Sequence, residues 1–427
     1  MVGRSTNQNV RNTGQRWSRH GCTWFAFIGF VATATIASAE NWPQWGGPRR
    51  DFKVTSGLLA DHWDAGGPKR IWERDLGPGY SAIVAVDGHL YTGYRDNDDE
   101  VFVALDAGTG KTLWEFKYAA PSVENQVLEF GKGPNATPLV VGDQIYTIGF
   151  TGVMHCLNRA DGKKVWSRDF VKDFDGKVFE FGYSSSPLFY KGNVIVLVGG
   201  EKHGVVALHP KDGAVVWASE PHDVSYASPI VINVDGQDQI VFFSSEAVMG
   251  LDASNGKHLW EHPVINQYKN NATDAIWGDD NLLWAATQLE GGGRMLRLKR
   301  DGDKTSVKEE WFNPKAQVFH WNAVRVGEFI YAAIGGRVTS LAGFSVKTGE
   351  IAWQERGFTK SLCVFADDKL ITLDEDGSLS LSRVSPRGVE KLSSTQLTEK
   401  NSWTVPTLVG STLFVRDTKR IMALDLR

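Results

Sequence analysis

Cysteine is scarce in this chain. Three occur in 427 residues, at positions 22, 156 and 363, with none adjacent and none spaced as Cys-x-x-Cys. A disulfide framework and a cysteine-held zinc are therefore not expected, and Cys156 and Cys363 read as buried, inert thiols. The nine histidines after residue 39 are scattered, so no metal site is expected from them. No Gly-x-Ser-x-Gly elbow or phosphate-binding loop is present, which removes the commonest hydrolase and nucleotide chemistries. Helical periodicity of useful length is missing beyond residue 40. Positive charge is also short. Four of the 46 Lys and Arg residues precede residue 40 and none of the 50 Asp and Glu residues does, so the chain from residue 40 onward carries a net charge of −8. Nucleic acid and anionic membrane surfaces are poor partners for such a body.

The first 39 residues read as a signal peptide. Arg4, Arg11, Arg16 and Arg19 form a positive leader, residues 23–36 (TWFAFIGFVATATI) are apolar, and Ala37-Ser38-Ala39 has the small-x-small form of a cleavage site before Glu40. The apolar stretch is short for a membrane span, so no stable insertion is expected. Cys22 precedes that stretch and is badly placed for lipid attachment. A periplasmic or secreted location follows.

What the chain has in abundance is a repeat. Trp72, Trp114, Trp166, Trp217, Trp260, Trp311 and Trp353 recur at steps of 42 to 52 residues. The approach to each is copied: Ala104-Leu105-Asp106 leads through Gly110 to Trp114, and residues 157–166, 208–217, 251–260 and 344–353 repeat it, each with Gly four places before the Trp. Short alternating apolar runs broken by Gly and Asp turns lie between, as at Asp87-Gly88. Four strands per unit at this period predict an all-β, eight-bladed β-propeller.

Full units run over about 79–118, 134–171, 182–221, 226–264, 270–313, 319–357 and 359–397. The last, 402–427, has three strands and stops after Ala423-Leu424-Asp425. Lys69 to Arg74, around Trp72, is an orphan Trp strand and would complete it, closing the ring and protecting its edges. The organisation is then a signal peptide at 1–39, an N-terminal extension at 40–68 and the propeller at 69–427.

The run Ala-Leu-Asp-x-x-x-Gly-x-x-x-Trp resembles the Trp-docking motif of quinoprotein-type (PQQ-like) eight-bladed propellers, from about residue 42 to the end. The resemblance implies that Trp72, Trp114, Trp166, Trp217, Trp260, Trp311 and Trp353 pack between neighbouring blades. It implies two functional classes: quinone-dependent dehydrogenases and non-catalytic scaffolds of the BamB type. The dehydrogenases hold pyrroloquinoline quinone with calcium beneath a pair of adjacent cysteines, and this chain has no such pair. PQQ with calcium is therefore the minor expectation, and no cofactor or metal the major one. Carbohydrate handling is a third class.

Aligning the units on the turn after the first strand gathers Tyr80, Asn135, Ser184, Tyr226, Asn271, His320, Lys360 and Trp403 into one column. These would ring one mouth of the central channel, either as wet lining or as a site for a protein segment or a small polar ligand. Thr137, Ser186, Ser228, Thr273 and Asn322 form a second, small and polar column two places on. Two longer connections, 115–134 and 168–183, end alike in Glu129-Phe130-Gly131 and Glu180-Phe181-Gly182 before Tyr183, and could cap that mouth. Asp274 and Glu129 are the nearest carboxylates, and neither is paired, so no catalytic residue is assigned. The expected molecule is a monomeric binding module.

Overall fold

The computed structural model describes residues 40–427 apart from 57, 279 and 337. The expected signal peptide, with Cys22, lies outside the described residues. Eight four-stranded antiparallel sheets form a closed ring, an eight-bladed β-propeller. Blade 1 is built from Val84–Val86, His89–Asp96, Asp99–Asp106 and Thr112–Ala119. Its innermost strand touches those of blade 2 (Leu139–Val141) and blade 8 (Thr407–Val409). Blade 8 is completed by the orphan strand: Lys69–Asp75 pairs antiparallel with Arg420–Asp425.

Each outer strand carries a bulge one residue before the Trp position. In blade 1, Ala104 faces Trp114 and Leu105 faces Thr112, so Leu113 is extruded. The same slip recurs in every blade, and the extruded Ile71, Leu113, Val165 and Val216 are exposed apolar residues of the outer rim. The Trp rings then reach the next blade. Trp72 donates to the Ala107 carbonyl at 2.8 Å, Trp114 to Arg159 at 3.0 Å, Trp166 to Pro210 at 2.8 Å, Trp311 to Val346 at 2.7 Å and Trp353 to Ser385 at 2.9 Å. The repeated glycine is the seat of that ring. A Cβ on Gly162 would stand 2.5 Å from the Trp114 ring, and Gly162 has φ +70.

The seam varies where the repeat degenerates. Blade 5 replaces the short turn by the longer hairpin Gly293–Asp301 and Lys304–Asn313, and Trp260 donates instead to Gln239 Oε1 within its own blade, at 2.7 Å. Trp217 packs on Gly256 with its buried N–H unpartnered. In blade 7, Ser393 occupies the Trp position of the bulge. There the extension compensates: the Trp63 backbone N–H donates to Ser393 Oγ at 2.9 Å, and Trp63 packs on the adjoining core.

The second polar column forms a belt. Ala82 N–H donates to Thr137 Oγ1 (3.2 Å), Thr137 N–H to Ser186 Oγ (2.9 Å), Ser186 N–H to Ser228 Oγ (3.0 Å) and Ser228 N–H to Asp274 Oδ1 (2.7 Å). Asn322 exchanges two 2.8 Å bonds with the Cys363 backbone, and Thr407 Oγ1 donates to the Ile83 carbonyl across the closure. Blades 1 to 5, 6 to 7 and 8 to 1 are thus tied near the axis by short polar side chains that meet backbone needs.

The extension enters the channel at the end opposite the expected mouth. Trp42 bridges Ala85 of blade 1, the Pro43 carbonyl accepts from Val140 of blade 2, and Arg50 donates to the Pro187 carbonyl of blade 3 at 3.0 Å. Trp45 donates to Asp274 of blade 5, and Lys53 bridges Phe365 of blade 7. Trp42, Phe52, Val54 and Leu59 are buried in the largest core cluster. Arg50 and Phe52 adopt φ values of 56 and 57, a left-handed backbone that the surrounding bonds hold in place. The connection 168–183 holds a one-turn helix, Phe170–Phe174, capped by Asp169 and closed by Asp175 at φ 54. Cys156 and Cys363 are free and buried, and burial pushes the Cys156 thiol up to about 12.

Gly162 and Gly142 separate seam packing from backbone strain. Both have positive φ, but a Cβ on Gly142 meets nothing within 4 Å. Gly162→Ala should cost about 2–4 kcal/mol and Gly142→Ala about 1–2 kcal/mol, measured by chemical denaturation. Equal costs would show that the Trp seat carries no packing energy.

Candidate functional site

Strand polarity sets which residues share a face. The connections from each outer strand to the next inner strand, and the hairpins between second and third strands, lie on the face opposite the plugged end. The column Tyr80, Asn135, Ser184, Tyr226, Asn271, His320, Lys360 and Trp403 starts the inner strands at this mouth. The structure does not use all eight alike.

Four of them converge on the blade 6 to 1 side. The Tyr80 and Trp403 rings stand 5.4 Å apart, and His320 meets Trp403 edge-on at 5.0 Å. Glu375, a residue missing from the column, ties Lys360 (2.6 Å) to the Trp403 indole N–H (2.9 Å). Burial pulls the Glu375 carboxyl upward, but these two hydrogen bonds outweigh it and leave it below its usual range. Burial and the nearby Lys360 hold the His320 imidazole down at about 4, so it is neutral, and its Nε2 has no partner. Glu375 was invisible to column reasoning because it sits on a second-to-third-strand hairpin.

The two long connections bring Phe130 and Phe181 over the channel. Val127 N–H donates to the Glu180 carbonyl at 2.8 Å, joining the loops. The Phe130 ring lies 6.1 Å from Phe181 and 5.9 Å from Trp403, and Phe181 lies 6.0 Å from Tyr226. The Tyr80 hydroxyl donates to the Phe130 carbonyl at 2.6 Å, and Asn135 to the Phe181 carbonyl at 2.9 Å, with Ser184 at 3.4 Å. Burial pushes the Tyr226 phenol up to about 12. Phe130 is 45% exposed, and Glu129 and Glu180 are exposed beside it.

Two named residues belong to the framework. Asn271 is fully buried and donates to the Ser244 and Val264 carbonyls. Tyr183 is buried under the loop, its hydroxyl on the Lys177 carbonyl at 2.7 Å. Asp274 is at the far end of the channel, a belt acceptor bound by Trp45.

The mouth is an aromatic cap over the bonded Lys360–Glu375–Trp403 cluster, with His320 Nε2 left unpartnered. A calcium-held quinone asks for several free oxygen donors. Glu375 is spent on Lys360 and Trp403, and Asn271 on backbone carbonyls, so these two residues offer such an ion no free donor. His258 and His262, four apart on one outer strand, do not converge: His262 faces Glu309 at 3.1 Å, and His258 lies beside His222 with ring centres 5.7 Å apart. Among the described residues, no group of three or more His, Cys, Asp or Glu could hold a metal.

A family model described as outer membrane protein assembly factor BamB matches residues 97–355, more than half of the chain. The chain belongs to this family. It is 26% identical over 298 residues to the outer membrane protein assembly factor BamB of Salmonella typhimurium, covering 64% of this chain and 70% of that protein. It is 27% identical to the BamB of Kangiella koreensis, covering 42% of each. It is also 24% identical to the dehydrogenase subunit of a quinone alcohol dehydrogenase of Acetobacter aceti, covering 64% of this chain and 41% of that subunit. Among solved structures, BamB from Moraxella catarrhalis superposes with a TM-score of 0.58 at 14% identity, over 84% of this chain and 99% of that one. A europium-containing methanol dehydrogenase gives 0.66 at 12% identity, over 90% and 89%. At such identities the structural likeness is one of fold. PQQ-like propeller relatives therefore include both assembly factors and dehydrogenases.

The neutral His320 makes the cap pH-sensitive in a defined direction. Its folded-state value lies below the unfolded one, so its contribution is present above about pH 6.5 and is lost as pH falls toward 4. The stability difference between the parent and His320→Gln should shrink over that window, by on the order of 1–3 kcal/mol, in denaturation at stepped pH. A difference that stays constant would mean the imidazole titrates normally.

Proposed function

We propose that this protein is an exported, non-catalytic binding module of the bacterial cell envelope, which engages a protein partner through the mouth face. The observation that carries this reading is the cap: exposed aromatic surface over a Lys360–Glu375–Trp403 cluster whose members bond to one another. Apolar residues of the same face extend it. Leu128, Phe130, Val178, Ile265 and Tyr268 are all exposed, Tyr268 by 64%, and they lie on connections, where partner contacts are readily varied without disturbing the sheets. The family relationship to an assembly factor supports the same reading. A periplasmic or secreted, monomeric body follows from the expected signal peptide and the negative charge.

The relationship to quinone-dependent dehydrogenases favours a second reading, in which the mouth takes pyrroloquinoline quinone with calcium. One pair of measurements separates them. Photo-crosslinking residues placed at Phe130 and Tyr268 should capture a defined envelope protein, and one placed at Val215 on the outer rim should not. Phe130→Asp should weaken that capture by about tenfold, the worth of one buried aromatic contact. Saturable, calcium-dependent quinone quenching of tryptophan fluorescence, with no crosslink from the mouth, would replace the scaffold reading by the enzymatic one.

A further inference from the structure

At the plugged end, a cavity of about 600 Å³ opens between the extension and the turns of blades 4 to 6. A second depression continues from it and shares Trp277 and Asp280 with it. Trp277 is half-buried, packs on the blade 4–5 core, and its indole N–H has no partner among the described residues. Beside it, Arg325 grips Asp280 with two parallel bonds of 3.0 and 2.7 Å. The hydrogen bonds from Arg325 hold the Asp280 carboxyl below its usual range against the pull of burial. Arg50, buried and 8% exposed, forms part of the wall with its Nε unpartnered.

The charges of this wall cancel. Arg49, Arg50, Lys53 and Arg325 stand against Asp51, Asp274, Asp280 and Glu328. Lys53 pairs with Asp51 at 3.1 Å, as Arg325 does with Asp280. Formal balance of this kind gives a free anion or cation little net attraction. A fixed carboxylate–guanidinium pair offers donors and acceptors at the spacing of neighbouring hydroxyls, and an indole offers an apolar face to C–H groups. The dimensions fall within the range of small-molecule pockets.

We propose that this groove binds a neutral oligosaccharide, with Trp277 as the stacking platform and the Asp280–Arg325 pair reading vicinal hydroxyls. The site is separate from the mouth face and does not rest on the reading given for it. Its recognition elements are held by ordered parts of the ring: Trp277 lies in the inner strand Ile276–Gly278, and Arg325 in the inner strand Ala323–Val326 of the next blade. The ligand would therefore bridge two blades and the extension.

The test is calorimetric titration of the purified protein with cellotriose, maltotriose and chitotriose, each to about 10 mM, a range that reaches weak sugar affinities. At least one should bind saturably and shift tryptophan fluorescence. Asp280→Asn should weaken it about tenfold, the worth of one charge-assisted hydrogen bond, and Trp277→Ala by at least as much. Trp277→Phe keeps an aromatic platform and the packing, so it should melt like the parent and retain part of the affinity. Insoluble cellulose and chitin pelleting then distinguishes a polymer from a free sugar as the source. Three results would overturn the proposal: no saturable binding of any trisaccharide to the folded protein, unchanged affinity in Trp277→Ala, or tighter binding of citrate or spermidine than of any sugar.

Discussion

Ring closure is the constraint on which everything else depends. Eight sheets that twist alike leave two exposed edges unless the last blade meets the first. Here three elements make that meeting. The strand around Trp72 completes blade 8. Thr407 reaches the Ile83 carbonyl. Arg416, fully buried, donates to the Ser81 carbonyl (3.3 Å), Thr92 Oγ1 (2.9 Å), the Gly93 carbonyl (2.5 Å) and the Gly77 carbonyl (3.0 Å), all in or beside blade 1. Its burial lowers the guanidinium to about 10. A buried cation is costly unless its donors are used, and this one spends them on the blade it must hold.

Closure creates an axial channel, and an open channel would leave apolar inner strands wet. The two ends are filled by different means. Backbone and large side chains of the extension fill one, held by the belt acceptor Asp274 through Trp45 and by Arg50 across to blade 3. Loops carrying Phe130 and Phe181 cover the other. The two faces therefore have unlike chemistry. One is apolar and aromatic over Lys360, Glu375 and His320, the other polar and charge-balanced around Trp277.

Repetition explains which features could be read beforehand. The Trp period, the turn glycines and the truncated last unit are local patterns copied many times, so blade number and closure were legible. The docking of Trp72, Trp114, Trp166, Trp217 and Trp311 on the glycine of the next blade follows from the same copies. The extension has no copies. Its Trp42, Trp45 and Phe52 look like ordinary apolar residues in sequence, and only the folded ring shows that they occupy the axis. The second polar column was visible as a column, yet its purpose was not. Wet lining and inter-blade bonding both ask for Ser, Thr and Asn, and the backbone partners that decide between them lie in another repeat. Asn271 was grouped with the mouth residues by alignment, but its amide is buried on backbone carbonyls. Glu375 was missed because it enters the mouth from a different loop.

The mouth and the groove place their polar groups differently, and that contrast bears on what each can do. At the mouth, the Glu375 carboxylate is balanced by Lys360 and hydrogen-bonded by Trp403, and His320 is held neutral among rings. General acid–base work needs a group poised near the working pH and within reach of a substrate proton. A histidine held near 4 and a carboxylate below its usual range both stand outside that window. In the groove, Asp280 is 41% exposed at its side chain while its partner Arg325 is 11% exposed. The pair is anchored on one side and open on the other, which is the arrangement a hydroxylated ligand can use without breaking the ion pair. The two surfaces lie on opposite faces of one ring.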